Sequence, residues 1–427
     1  MKLILRILLK PALLVFLAIS SKPATAAWAG CPWMNWNSDA QGIVDSNAAY
    51  FSAILPARVA AGTTVQISAR FPKVRFFNFT IYHKGKLVDH IADASLYPVE
   101  GGNPSPYVAS IPDSNNYTDT YRITIKYQDV PSDPGQREPN TIYAGADTSQ
   151  QNLLIMRLYL PNAGADQTGG AGLPQLTQIN PDGSSSRFDT VSGPRCGAIA
   201  AGTALFQQFP LPIPYIAPKM PTFSVVPESA YNGGPASTAR YSNFDSGYAY
   251  SLISTSKANL IIVRAEMPVT PAFSDQAAAL DMRYFSFCEY GQWNRAIIGC
   301  LADKDVVPQA DGYFNVVLSE ASNRPTYADT AYGYTWVSAL APNSSSILTV
   351  RQILADPTFP GSYQAASAVS DPMTVLGNWA PQVTYCDTTT FANNALSGGA
   401  ALFIACSNAY AATKYKWQAT KHKFQAH

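Results

Sequence analysis

The sequence predicts a mainly β protein built from two similar β-sandwich, jelly-roll-like units. Residues 75–82 alternate aromatic and polar side chains behind an arginine, which is typical of a half-buried strand. Residues 283–290 repeat this pattern, again from an arginine to a tyrosine. Only 13% of the residues are charged, whereas the chain has 24 Tyr and 32 Pro. This composition favours strands and turns over helices with charged faces.

Further segments recur in one order along the chain, which predicts an internal duplication. Short stretches between Pro, Gly, Asn and Asp favour a β-sandwich in each half. Residues 347–355 could equally form a short helix. The further paired segments are 45–50 with 245–250, 65–72 with 261–268, 91–98 with 301–308, 121–125 with 313–317, and 153–160 with 347–354.

The repeats divide the chain into a first unit over residues 27–162 and a second over residues 241–413. Residues 163–240 are rich in Pro, Gly and Ser and are predicted to form no regular ladder. A segment this long is a linker or a functional insertion. Residues 414–427 are predicted to be a flexible tail.

The N-terminus predicts export. Basic residues precede an apolar run at 12–19, and Ala24-Thr25-Ala26 is a small-residue cleavage site, so residues 1–26 are predicted to be a signal peptide. The apolar run is too short for a membrane span, so no transmembrane anchor is expected after cleavage. A secreted or periplasmic location follows.

Six cysteines in an oxidising compartment predict disulfides. Six cysteines allow 15 pairings. Proximity favours Cys288–Cys300 and Cys386–Cys406, which leaves Cys31–Cys196. The spacing is not that of a zinc or redox motif, so we predict structural bridges, no metal site and no cofactor.

Charge and motifs exclude several functions. A net charge of +1 argues against nucleic acid as a partner. The sequence has no nucleophile elbow, phosphate-binding loop, dinucleotide fingerprint or zinc-protease motif. His83 and His90 flank a predicted turn at 84–86 and are predicted to be exposed hairpin histidines rather than metal ligands. Catalytic residues therefore remain unknown, and whether the protein is an enzyme stays open.

Polar residues shared by both halves are the candidate site. Arg75 and Arg283 stand among aromatic residues, and Asp93 and Asp303 follow them at matching positions. One interpretation is that these residues pair within each unit and fix strand register. The other is that both arginines face a cleft between the units and bind an anionic or hydroxylated ligand. Repetition favours the first. Two further repeated sets are Asp45 with Asp245 and Arg157 with Arg351.

The sequence resembles a group of uncharacterised exported bacterial proteins and, more distantly, a β-sandwich domain of unknown function from bacterial envelope proteins. The resemblance implies the β fold and export, and it implies no activity. It is carried by Phe71-Pro72, Arg75-Phe76-Phe77, Phe79, Asp93, Asn103-Pro104, residues 140–145, residues 168–170, and the cysteines Cys288 and Cys300.

Taken together, these patterns predict an exported ligand-binding or envelope-associated protein without catalytic activity. Its ligand would lie at the junction of the two units, near Arg75 and Arg283. The expected partner is a small molecule, a saccharide or another envelope protein, since tyrosine and tryptophan side chains can stack on sugar rings. One alternative is an extracytoplasmic hydrolase or lyase that uses an Asp/Arg pair. Another is a structural surface component.

Overall fold

A computed structural model describes residues 32–36, 44–99, 119–188, 220–227, 242–271, 280–292, 296–338 and 345–424, with side chains to residue 412. The predicted signal peptide at 1–26 and the predicted Cys31–Cys196 bridge lie outside these residues.

The first unit consists of two antiparallel-rich sheets. Sheet A has the strand order β1-β2-β8-β4-β5, and sheet B has the order β10-β9-β3-β6-β7. The strands are β1 (Met34–Trp36), β2 (Ala48–Leu55), β3 (Thr64–Arg70), β4 (Val74–His83), β5 (Lys86–Ala92), β6 (Thr120–Lys126), β7 (Thr141–Tyr143), β8 (Asn152–Pro161), β9 (Gln175–Ile179) and β10 (Ser185–Arg187).

The second unit repeats this arrangement. Sheet C has the order β11-β12-β18-β14-β15, and sheet D has the order β17-β16-β13-β19. The strands are β11 (Ser224–Val225), β12 (Ser246–Ser254), β13 (Leu260–Glu266), β14 (Met282–Gly291), β15 (Ile297–Ala302), β16 (Tyr313–Ser319), β17 (Thr335–Ser338), β18 (Ser345–Ala355) and β19 (Gln382–Cys386).

Strand order is the same in the two units, apart from β10, which has no counterpart in sheet D. Backbone details recur as well. Leu160 near the end of β8 and Leu354 near the end of β18 both adopt left-handed conformations, with φ of 51° and 46°. Such a conformation is unusual for a bulky residue, so its recurrence marks equivalent positions. The mainly β sandwich fold is confirmed, and the duplication as an evolutionary event stays a prediction.

The four sheets stack in the order B, A, C, D. One apolar core lies between sheets A and B, and a second lies between sheets C and D. A third cluster joins the outer faces of A and C. Strand β4 is therefore buried on both faces, so the prediction that it would be half-buried is wrong. The reason is that a second unit covers the face that a lone sandwich would expose to water.

Helices cover the second unit. They are α1 (Tyr363–Ala366), α2 (Pro372–Leu376), α3 (Thr388–Asn394) and α4 (Gly399–Phe424), and the 3-10 turns are Asp93–Ser95, Pro134–Gln136, Asp303–Asp305, Ala321–Asn323, Thr330–Tyr332, Gly377–Trp379 and Ala395–Ser397. Phe391 in α3 and Leu402 in α4 pack with Ile262 on the outer face of sheet D. No helix among the described residues combines the length and apolarity needed to cross a membrane.

The sequence left residues 347–355 open between a strand and a short helix. The structure has strand β18 there, because the flanking strands β12 and β14 pair with both of its edges. The backbone of helix α4 continues to Phe424, and the flexible tail expected over residues 414–427 stays a prediction. A helix docked on sheet D supplies the tertiary support that local sequence lacks.

The expectation that residues 163–240 form no ladder is wrong for their first part. Strand β9 pairs with β3, and β10 pairs with β9. Gly183 makes the tight turn between them with φ of 82°, a conformation that glycine adopts without steric cost. The turn residues thus build a hairpin rather than a linker at this point.

Two predicted disulfides are present. Cys288–Cys300 joins the neighbouring strands β14 and β15. Cys386–Cys406 ties the edge strand β19 to helix α4. The first of these bridges lies on the face of sheet C that meets the first unit.

Candidate functional site

The candidate site is the junction, by which we mean the facing surfaces of sheets A and C. Its apolar part is built from tyrosines and a phenylalanine, with Phe76 against Tyr159 at 5.8 Å between ring centroids and Tyr159 against Tyr284 at 5.5 Å. The contact between Tyr159 and Tyr284 crosses from the first unit to the second. Polar side chains of the repeated segments surround this apolar patch.

The four sequence-predicted site residues form two ion pairs that cross the junction. Arg75 Nη1 lies 3.0 Å from Asp303 Oδ2, and Arg283 Nη1 lies 3.4 Å from Asp93 Oδ2. The Arg75 and Asp303 side chains are 2% and 0% exposed. The prediction that each pair would form inside its own unit is wrong, because each arginine reaches the carboxylate of the opposite unit.

The backbone explains why the arginines leave their own units. Pairing between β4 and β8 is interrupted at Arg75, opposite the left-handed Leu160. The alternation of faces breaks there too, since Val74 lies in the first core and Phe76 in the junction. Local irregularities of this kind re-aim a side chain. The same interruption occurs at Arg283 in β14.

Burial changes the pKa values of the two aspartates in these ion pairs. Burial raises the pKa of Asp93 to about 6, although Arg283 opposes the shift. Burial also raises the pKa of Asp303, against the pull of Arg75. The Phe77 backbone N–H donates to Asp93 Oδ2 at 3.0 Å, so this carboxylate binds both the neighbouring strand and the other unit. The acids thus connect the two units rather than face solvent.

A second pair of acids projects from loops before β2 and β12. Asp45 Oδ2 lies 2.9 Å from Arg351 Nη1 and accepts hydrogen bonds from Ser286 Oγ at 2.6 Å and Tyr284 OH at 2.9 Å. All three partners belong to the second unit. Asp45 is itself buried, and these groups from across the junction compensate its charge, while its Oδ1 accepts hydrogen bonds from Asn47 of its own unit.

Asp245 of the second unit is the counterpart of Asp45, and groups of the first unit bind it. Its Oδ2 accepts a hydrogen bond from Asn78 Nδ2 at 2.6 Å, and its Oδ1 lies 3.2 Å from His90 Nε2. Asn78 pairs with Arg157 in sheet A just as Ser286 pairs with Arg351 in sheet C. Each unit therefore binds the loop acid of the other with an equivalent strand.

His90 is part of the junction, so its prediction as an exposed hairpin residue is wrong. Its side chain is 25% exposed, and its ring lies 4.5 Å from that of Phe244. Although burial works to lower it, the pKa of His90 is raised by the hydrogen bond and charge of Asp245. His83 instead meets Asn152 Oδ1 at 2.6 Å and Asp147 Oδ2 at 3.2 Å within the first unit.

The Cys288–Cys300 bridge occupies the position that Thr80 and His90 hold in the first unit. The Ser46 N–H, next to Asp45, approaches Cys300 Sγ at 3.5 Å. Asp45 and both sulfurs cluster within 4.8 Å, but the sulfurs are bonded to each other and offer no thiolate to a metal. The arrangement is a structural support for the Asp45 loop.

Sequence reasoning missed several junction residues. Asn78 and Ser286 are the polar interruptions of aromatic strands at matching positions, and that signal could have identified them. Nothing in the sequence pattern indicated that their partners would be the loop acids of the other unit.

Glu289 is a further unpredicted polar residue, and it lies in the second core rather than the junction. It is 1% exposed, and burial raises its pKa to about 8, although the Ser346 hydroxyl opposes the shift. Among the described residues, neither of its carboxyl oxygens has a well-formed hydrogen bond. A glutamate inside an aromatic strand was the available signal.

Neither a protein-family model nor a curated protein matches the chain. Solved structures give distant likenesses. An uncharacterized protein from Burkholderia cenocepacia is 12% identical, covers 78% of this chain and 81% of its own, and has a TM-score of 0.47. The partial N-terminal region of an enterococcal surface protein is 9% identical, with coverages of 76% and 83% and a TM-score of 0.20. A biofilm-associated protein BSP domain is 12% identical, with coverages of 76% and 49% and a TM-score of 0.18.

Proposed function

We propose that this protein is an exported, envelope-associated component without catalytic activity, in which the two β units act as one rigid body. The observation that carries the proposal is the reciprocal pairing of Arg75 with Asp303 and of Arg283 with Asp93 across the junction. These charged residues are the ones that a ligand site or an acid–base mechanism would have used. Their engagement with each other favours an architectural role.

The two disulfides support the exported location. Cys288–Cys300 and Cys386–Cys406 persist in oxidising compartments, whereas the cytosol keeps most thiols reduced. The proposed partner is another envelope protein or a saccharide. It would meet the outer surfaces of the body rather than the junction.

A ligand at the junction remains the second candidate, favoured by the partial exposure of His90 beside Phe244. An aromatic ring and a cationic imidazole could contact an anionic or hydroxylated molecule at this edge. The hydrolase or lyase alternative would rest on Asp93, whose pKa of about 6 suits an acid, but its side chain is 0% exposed.

Fractionation and native mass spectrometry test the proposal together. Protein expressed from residues 1–427 should be recovered outside the cytoplasm, with its cysteines unreactive to an alkylating reagent until reduction. After removal of residues 1–26, its native mass should show no bound organic ligand. Recovery in the cytoplasm with free thiols contradicts export. A co-purifying mass that disappears in a His90→Ala variant supports the junction ligand instead.

A further inference from the structure

Three residues of sheet C form an unusual row facing the second core. Ser251 on β12 and Glu289 on β14 both lie opposite Leu348 on the central strand β18. Residues directly opposite each other in antiparallel strands project from the same face. Leu348 belongs to the core between sheets C and D, so Ser251 and Glu289 also face that core.

Ser346 extends this group by one position. It lies two residues from Leu348 on β18 and therefore on the same face, and it is the hydroxyl neighbour of the Glu289 carboxyl. All three polar residues are 1% exposed or less. Among the described residues, Glu289 Oε1 and Oε2, Ser251 Oγ and Ser346 Oγ form no hydrogen bond of normal geometry.

The equivalent positions of the first unit show that the fold does not require polar residues in this row. There, Ala53 and Ile81 lie opposite Leu154, and both are fully buried core residues. Asn152 stands where the second unit has Ser346, and it is fully engaged with His83 and the Ala144 carbonyl. The second unit thus carries polar groups where the same architecture is stable without them.

A buried carboxyl group either keeps its proton or, once ionised, needs a cationic partner or a metal ion. Within the described part of the chain, the groups that shift the pKa of Glu289 include no arginine, lysine or histidine. Carboxylate and hydroxyl oxygens are ligands for hard cations. A single carboxylate balances a single positive charge, whereas a divalent ion would leave a net charge in an apolar core.

We propose that Glu289, with the hydroxyls of Ser346 and Ser251, forms a binding site for a monovalent alkali cation at the end of the second sandwich. The carboxylate supplies the charge, and the serine hydroxyls add neutral oxygen ligands. The site is independent of the junction and of the function proposed above.

The test uses full-length protein at pH 9, above the pKa of about 8 for Glu289, so that the carboxyl is ionised. Thermal unfolding is followed in sodium, potassium or choline chloride at equal ionic strength. Sodium or potassium should raise Tm over choline by on the order of 3 °C when the cation is well above its Kd. Line broadening of the ²³Na resonance gives a second measurement that does not depend on stability.

Glu289→Gln should abolish both effects, and Ser346→Ala should weaken them. Glu320→Gln, which changes a half-exposed glutamate in the same unit, is the matched control and should keep both. Equal Tm in all three salts with no ²³Na broadening overturns the proposal. A Glu289→Gln variant that still responds fully to sodium also overturns it. A further titration with calcium chloride tests the charge of the ion, and a larger rise in Tm with calcium than with sodium rejects the monovalent assignment. If Glu289→Gln fails to fold, Ser346→Ala decides through the ²³Na measurement.

Discussion

Across sheet A the row Ala53, Leu154 and Ile81 is wholly apolar, whereas the equivalent row of sheet C reads Ser251, Leu348 and Glu289. The junction shows the opposite behaviour. There, both units carry an arginine, an aspartate after the hairpin and a loop aspartate. The two units are therefore alike in these charged residues of the junction and differ in this row of their cores.

This contrast has a physical explanation. A junction residue must match a partner on the other unit, so replacing one member leaves a buried charge uncompensated. A core position inside one sandwich needs only suitable volume and polarity, and many side chains satisfy that need. Reciprocal contacts thus limit the choice of amino acid at a position more than core packing does. The following experiments are designed to challenge that difference.

Replacing Glu289 with isoleucine, the residue of the first unit, should have the largest effect. Burial on folding raises the pKa of Glu289 from 4.5 to about 8. The folded state holds the extra proton between these values, so stability falls as pH rises from 4.5 to 8. In choline buffer, the variant should gain up to about 5 kcal/mol over wild type at pH 9. Denaturant titrations at pH 4.5 and pH 9 measure the free energies of unfolding of the variant and the wild type. If their difference is the same at both pH values, the carboxyl group of Glu289 is not buried as described.

Removing Arg75 should be the most damaging change at the junction. Arg75→Ala leaves the buried Asp303 uncompensated, which should cost about 4 kcal/mol. A double-mutant cycle with Asp303→Ala should show strong coupling between the two residues. Lys304→Ala is the control, because its pair with Asp305 is about half exposed and should contribute less than about 1 kcal/mol. Additive effects of the Arg75 and Asp303 changes would show that the pair does not join the units.

The disulfide tests a place where the two junction surfaces differ, since the first unit has Thr80 and His90 at these positions. Cys288→Ala with Cys300→Ala opens a loop closed over 12 residues and should cost about 3 kcal/mol. The free energy of unfolding from denaturant titration measures the loss. Opening Cys386–Cys406 gives a matched comparison away from the junction. If opening Cys386–Cys406 lowers the free energy of unfolding and opening Cys288–Cys300 does not, the bridge at the junction contributes nothing to stability.

His90 should have the smallest effect. Its folded pKa is raised by Asp245, so its stabilising contribution is complete below about pH 6.5 and is lost as pH rises through the folded value. His90→Ala should therefore cost less than about 1 kcal/mol at pH 5.5 and almost nothing at pH 9. Chemical shifts of the His90 ring in wild type provide a direct titration. A larger cost at alkaline pH would reverse the sign assigned to this pair.

The sequence by itself determined the mainly β class, the order of the repeated segments, two disulfides and the residues of the main ion pairs. These features depend on local alternation, spacing and repetition, which a linear sequence displays. It did not indicate helix α4 or the β9–β10 hairpin, because each is stabilised by docking on a sheet built from distant segments.

Only the tertiary structure decided which residues would be partners. Arg75 could satisfy its charge equally with Asp93 or Asp303, since both follow an equivalent hairpin. The interruption of the ladder at Arg75 and the stacking of sheet A on sheet C selected Asp303. The choice of partner depends on how the surfaces of the two folded units pack against each other. The spacing of residues along the chain does not specify that packing.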